Sequence, residues 1–149
     1  MMNLTKNFTL KEMYESTTAI RLGIDNTPSD IVIKNLLLLC QKVLQPLREQ
    51  MEESIKVSSG YRCPDLNKRI GGSKSSQHCF GQAADISCDE RTAEMYKYIK
   101  NNLIFDQLIW EFGNDDNPDW VHVSFSPTKN RKECLRAYKI NGKTVYQHI

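Results

Sequence analysis

Apolar residues recur at three- and four-residue steps through Val32, Leu36, Leu39, Cys40, Val43 and Leu47, which is one buried stripe of a long helix. Ser29 or Asp30 can cap its start, and Pro46 is expected to kink it or to mark its weak final turn. A shorter helix is expected from about Leu10 to Ser16. There Thr9 and Glu12 have the spacing of a capping box, with Phe8 and Met13 at the flanking apolar positions. Leu22 to Pro28, with Gly23 and Asp25-Asn26, reads as loop. Pro64 to Ile70 reads as a short helix with proline at its first position and Gly71-Gly72 as its stop. Thr92 to Asn101 reads as an amphipathic helix that turns Met95, Tyr96 and Ile99 inward.

Alternation with a period of two marks strands at Ile55–Ser58 and Ala83–Ser87. Further along the chain it marks Gln107–Glu111, Trp120–Phe125, Leu135–Ile140 and Thr144–His148. Asn141-Gly142 between the last two is a strong two-residue hairpin signal. Helices first and a mostly antiparallel sheet after them predict an α+β fold. The length of 149 residues fits a single domain spanning 1–149, large enough to bury its own core.

Composition narrows the function classes. Twenty Lys+Arg against 18 Asp+Glu leave +2, which gives no support for a nucleic-acid partner or an anionic membrane surface. No stretch approaches the roughly 18 apolar residues of a membrane span. The opening Met1 to Asn7 lacks a secretion signal, so cytoplasmic synthesis is expected, with any role at the cell wall needing another exit route. Five cysteines at irregular spacing, with no C-x-x-C, read as reduced thiols rather than a disulfide framework or a redox motif. No phosphate-cradling glycine motif is present, so no nucleotide cofactor is implied.

Three histidines remain, and two sit in chemically suggestive places. His78 lies in Ser76-Gln77-His78-Cys79-Phe80-Gly81-Gln82-Ala83-Ala84-Asp85, and His122 in Asp119-Trp120-Val121-His122-Val123-Ser124. Two imidazoles and a carboxylate from separate elements can supply three ligands to a tetrahedral Zn²⁺, with the fourth position left for water, the pattern of a catalytic rather than a structural site. Each residue also has a plainer reading: a histidine hydrogen-bonded near a loop, and Asp85 capping a turn. Cys79 adjoins His78, but sequence neighbours do not make a nucleophilic dyad, and a thiol-reactive protein is disfavoured. His148 is expected to be exposed. Trp110 and Trp120 are divided between core packing and lining a cleft.

The ordered set Ser58-Ser59-Gly60-Tyr61-Arg62, Leu66-Asn67, Gly71-Gly72, Ser76-x-His78-x-x-Gly81-x-Ala83-x-Asp85 and Asp119-x-x-His122-Val123-Ser124 resembles the zinc D-alanyl-D-alanine carboxypeptidase family. That family includes cell-wall peptidases, vancomycin-resistance dipeptidases and phage endolysins. Phe8-Thr9-Leu10, Gly23-Ile24-Asp25-Asn26 and Val43 to Arg48 are similar to its small phage-type branch. The resemblance covers about Phe8 to Phe125 and implies a hedgehog-like fold. It places the zinc ligands on His78, Asp85 and His122, and a substrate-holding arginine on Arg62. Ser76 falls on the motif serine, which either bonds substrate or orients His78.

The resemblance also implies a carboxylate base three residues before the last histidine, at Asp119, with Glu111 and Asp116 in reserve. Together these implied roles describe a zinc peptidase, monomeric, acting on peptidoglycan stem peptides, as a cellular enzyme or a phage-type lysin. The alternative is a catalytically silent zinc-containing wall-binding module, because hedgehog-like relatives can lose peptidase function. The bond cut, terminal or internal, is left open.

Overall fold

The structure, a computed structural model, describes residues 2–149; Met1, part of the opening stretch read for a secretion signal, lies outside them. A small hairpin, β1 (Asn3–Thr5) and β2 (Phe8–Thr9), leads into α1 (Leu10–Tyr14). The capping box forms as the sequence predicts: Thr9 Oγ1 accepts from the Glu12 N–H at 3.2 Å, and the Glu12 carboxylate accepts from the Thr9 N–H at 3.0 Å. Phe8 and Met13 on either side are buried. A second helix, α2 (Thr17–Leu22), occupies a stretch between the first predicted helix and the predicted loop. Ser16 caps it by accepting from the Ala19 N–H, so the residue expected to end one helix starts another.

The long helix runs as α3 (Asp30–Leu39) and α4 (Gln45–Met51), joined without a break by a π-helical turn at Cys40–Leu44. Pro46 has no N–H to give, and its ring crowds the carbonyl four residues back. A wider turn placed just before it relieves both, so the expected kink appears as a π-bulge instead.

Then come β3 (Lys56–Ser59), α5 (Pro64–Arg69), a single 3₁₀ turn at Gln77–Phe80, β4 (Ala83–Ser87) and α6 (Thr92–Asn102). The last third holds β5 (Gln107–Glu111), β6 (Trp120–Ser124), β7 (Glu133–Ile140) and β8 (Lys143–His148). Six strands form one sheet in the order β3-β4-β6-β5-β7-β8, antiparallel except where β5 meets β7. This is the mixed α+β architecture the sequence predicts, and Asn141-Gly142 makes the β7–β8 turn with both residues at positive φ.

Alternation assigns the two faces of the sheet. Ala84, Ile86, Leu108, Trp110, Val121 and Val123 join Leu36 and Leu39 of α3 and Met95 and Ile99 of α6 in one core. Each such fully buried large aliphatic side chain contributes about 1.5–3 kcal/mol. The opposite face carries Asp85, His122, Ile109 and Leu135 in one cross-strand row, because Asp85 pairs with His122, His122 with Ile109, and Ile109 with Leu135. A neighbouring row is Trp120, Glu111, Ala137 and Tyr146. Helices cover the first face, and the second is left for chemistry. Among the described residues no helix is long and apolar enough to cross a membrane.

An ion pair with a buried carboxylate and an exposed guanidinium ties the start of β5 to the segment before β7. The Asp106 carboxylate, 5% exposed, accepts from Arg131 Nε at 2.9 Å, Nη2 at 3.0 Å and the backbone N–H at 3.0 Å. Burial opposes its ionisation, but the hydrogen bonds and charge of Arg131, with a further hydrogen bond from Gln77, outweigh burial and hold the pKa below 3.8. A depressed carboxyl pKa contributes stability that is present above the unfolded value and lost as pH falls through the folded one. Asp106→Asn is therefore expected to cost about 2 kcal/mol at neutral pH. The gap to wild type narrows as thermal melts are taken below about pH 4.

Candidate metal centre

His78 sits on the 3₁₀ turn that α3 holds in place from below. Asn35 donates to the Phe80 carbonyl at 2.8 Å, and Gly81 ends the turn at φ +71 with its Cα close against the Val32 backbone, where any side chain would collide. Ser76 caps the turn, its hydroxyl accepting from the His78 N–H at 3.2 Å. The imidazole is 2% exposed and donates from Nδ1 to the Gly60 carbonyl at 2.7 Å, which leaves Nε2 as its lone-pair atom. Gly60 in turn must be glycine, because a Cβ there would collide with the backbone carbonyl of Met13.

Nε2 of His78 lies 3.4 Å from Asp85 Oδ1, and His122 Nδ1 lies 3.3 Å from the same oxygen. One ligand atom from each residue falls within 4.8 Å of the other two. A tetrahedral zinc with ligands at about 2.0–2.1 Å sets neighbouring ligand atoms about 3.3–3.4 Å apart. Charge-assisted hydrogen bonds are shorter, about 2.7–2.9 Å. The two separations from Asp85 Oδ1 therefore match edges of a coordination tetrahedron rather than tight hydrogen bonds. The bond from His78 Nδ1 to the Gly60 carbonyl is the outer support that metal-ligating histidines ordinarily have. The donor set, two imidazole nitrogens and one carboxylate oxygen, suits Zn²⁺. Burial opposes ionisation of Asp85, yet the flanking His122 and His78 hold its carboxyl pKa below the ordinary range, so it is available as an anion.

These groups lie in a cleft of about 710 Å³ whose floor is the second face of the sheet. Arg62 reaches the same cleft from the loop after β3. Asn26 fixes that loop: it donates to the Tyr14 and Tyr61 carbonyls at 2.7 and 3.0 Å and accepts from the Cys63 N–H at 2.7 Å. Among the described residues Arg62 has no carboxylate partner, and its Nε is buried without a hydrogen bond. Burial pulls the guanidinium pKa below its usual value, with Asp85 and Cys79 pushing the other way. A desolvated, unpaired guanidinium facing a cleft is suited to gripping a carboxylate or carbonyl.

The reserve carboxylate Glu111 belongs to this cleft, and Asp119 does not. Glu111 closes β5, is 7% exposed and lines the cavity. Burial pushes its carboxyl up to about 7, with His122 acting to lower it and Asp85 to raise it. Asp119 is exposed just before β6 and is absent from the cavity lining. Asp116 is likewise exposed, in the loop held by the Asn114 side chain. Asp119 lies before β6 begins, whereas Glu111 pairs with Trp120, which shares His122's face of the sheet.

The two tryptophans also divide. Trp120 lines the cleft beside Phe112, and Trp110 packs in the core with Nε1 donating to the Asn114 carbonyl at 3.1 Å. Thiol chemistry gains nothing from the geometry: burial pushes the thiols of Cys79 and Cys88 up, and that of Cys40 to about 12, away from the thiolate.

An α+β sheet with a two-histidine, one-carboxylate centre at the floor of a cleft is the architecture of a metal-dependent hydrolase. The family model described as Peptidase M15 matches residues 6–124, and the chain belongs to that family, the zinc D-Ala-D-Ala carboxypeptidases. The chain matches no curated protein. All three candidate ligands, Arg62, Ser76 and Glu111 fall inside the matched stretch, whereas β7 and β8 lie beyond it.

Proposed function

We propose that this protein is a zinc peptidase that hydrolyses peptidoglycan stem peptides at a D-alanyl bond, the whole chain acting as one monomeric domain. The observation that carries the reading is the convergence of His78, Asp85 and His122, their ligand atoms within 4.8 Å of one another, beside a buried carboxylate and an unpaired arginine. His78, Asp85 and His122 would hold the Zn²⁺, which would supply Lewis acidity towards a carbonyl and water.

The remaining roles belong to the chain itself. Arg62 grips a carboxylate or carbonyl of the substrate and so fixes which peptide bond lies over the centre. Glu111, buried in the same cleft, accepts the proton from the attacking water and delivers it to the departing amine. Ser76 acts through its cap on the 3₁₀ turn, holding His78 in place.

The test is mass spectrometry of purified muropeptides incubated with the protein, with a chelator, and with zinc restored. Loss of one defined fragment that stops with the chelator and returns with zinc is expected, and the fragment names the bond. Intact muropeptides after incubation with a zinc-loaded preparation would favour a wall-binding module instead.

A further inference from the structure

The cleft is not completed by the residues that match the family. Its far wall is the β7–β8 hairpin, which contributes Lys139, Thr144 and Tyr146. On the sheet, Tyr146 pairs with Ala137, and Ala137 pairs with Glu111, so all three point to the same face. Two strand spacings, about 10 Å, separate the backbones of Glu111 and Tyr146. Ala137 between them is fully buried, packed with Ile109, Leu135 and Phe112, and stays out of the cleft. Glu111 and Tyr146 on either side of it both line the cleft.

We propose that Tyr146 is a catalytic residue of this cleft, its hydroxyl donating a hydrogen bond to the scissile carbonyl oxygen as negative charge develops there. The inference rests on the peptidase reading above. A donor aimed at a developing oxyanion is a recurrent source of catalysis, and the phenol of Tyr146 lines the same cleft as the three candidate ligands. Arg62 approaches from the β3 edge of the sheet and Tyr146 from the β8 edge, so a substrate lying over the central strands has a donor on each side. Burial and the charges of Glu111 and Asp85 all act to keep the phenol protonated, hence a donor. Tyr146 is 54% exposed, so its ring adds little to the core and can meet a ligand from solvent.

Tyr146→Phe removes the hydroxyl and keeps the ring. In steady-state kinetics on the muropeptide the wild type cleaves, kcat is expected to fall on the order of 10²-fold, with KM, zinc content and Tm unchanged. Affinity for a phosphinate analogue of the scissile peptide, which is tetrahedral and anionic, should fall by a similar factor, while affinity for the cleaved product stays as in wild type. A kcat within about twofold of wild type, or a loss confined to KM, overturns the assignment of Tyr146 and leaves the peptidase reading standing. A wild type that cleaves no muropeptide overturns that reading, and this inference with it.

Discussion

Glu111→Gln is expected to lower kcat by roughly 10²–10⁴-fold while the protein keeps its zinc and its fold. The substitution is nearly isosteric and removes only the capacity to take and return a proton. Burial raises the Glu111 carboxyl to about 7 in the metal-free protein, and a dication bound beside it would draw it back towards a carboxylate that can accept a proton. The same burial has a cost with a definite sign. A carboxyl raised in the folded state loses stability as pH rises from its unfolded value through its folded one. The metal-free Glu111→Gln variant should therefore melt higher than metal-free wild type above about pH 7, and the two should converge towards pH 4–5. Asp119→Asn is the paired control: exposed and outside the cleft, its loss is expected to leave kcat within about threefold of wild type. Wild-type turnover by Glu111→Gln, with Asp119→Asn inactive, would return the base to position 119.

The second large effect is on the metal. Asp85→Asn keeps the shape of the side chain but removes the single negative charge shared between His78 and His122. Loss of an outer-sphere partner alone weakens metal affinity about 10–100-fold, and loss of a direct anionic ligand should exceed that range. Competition with a chromophoric chelator reads the change directly, and a melt of the metal-free forms shows whether the fold has survived. Peptidase activity at limiting zinc should fall together with occupancy.

Much of this arrangement is readable from residue order. The capping box at Thr9-Glu12, the apolar stripe of α3, the strand at Ala83–Ser87 and the Asn141-Gly142 turn each depend on contacts within a few residues, and each stands where the local pattern puts it. The three candidate ligands are also legible, because histidine is scarce in this chain and two of its three lie in the family motifs.

The features that local pattern does not reveal depend on distant partners. The π-turn at Cys40–Leu44 arises from fitting Pro46 into a helix whose apolar face is already committed to the core. Glu111 takes its chemical character from burial and from the β5–β6 register, which places it in the row next to His122. Asp119, the position the resemblance implies for the base, lies just before β6 and outside the cleft lining, and residue order alone does not show that. Tyr146 enters the cleft only through a chain of pairings across β5, β7 and β8, one of them parallel and joining elements far apart in sequence.

In the proposed function every other role depends on one zinc held by His78, Asp85 and His122. The most direct measurement is a zinc titration of the metal-free protein against a competing chelator, run in parallel on wild type and Asp85→Asn. One tightly bound zinc per chain in wild type, weakened more than about 100-fold in the variant, is the expected result. No saturable uptake by wild type, or equal affinity in the two proteins, would contradict it.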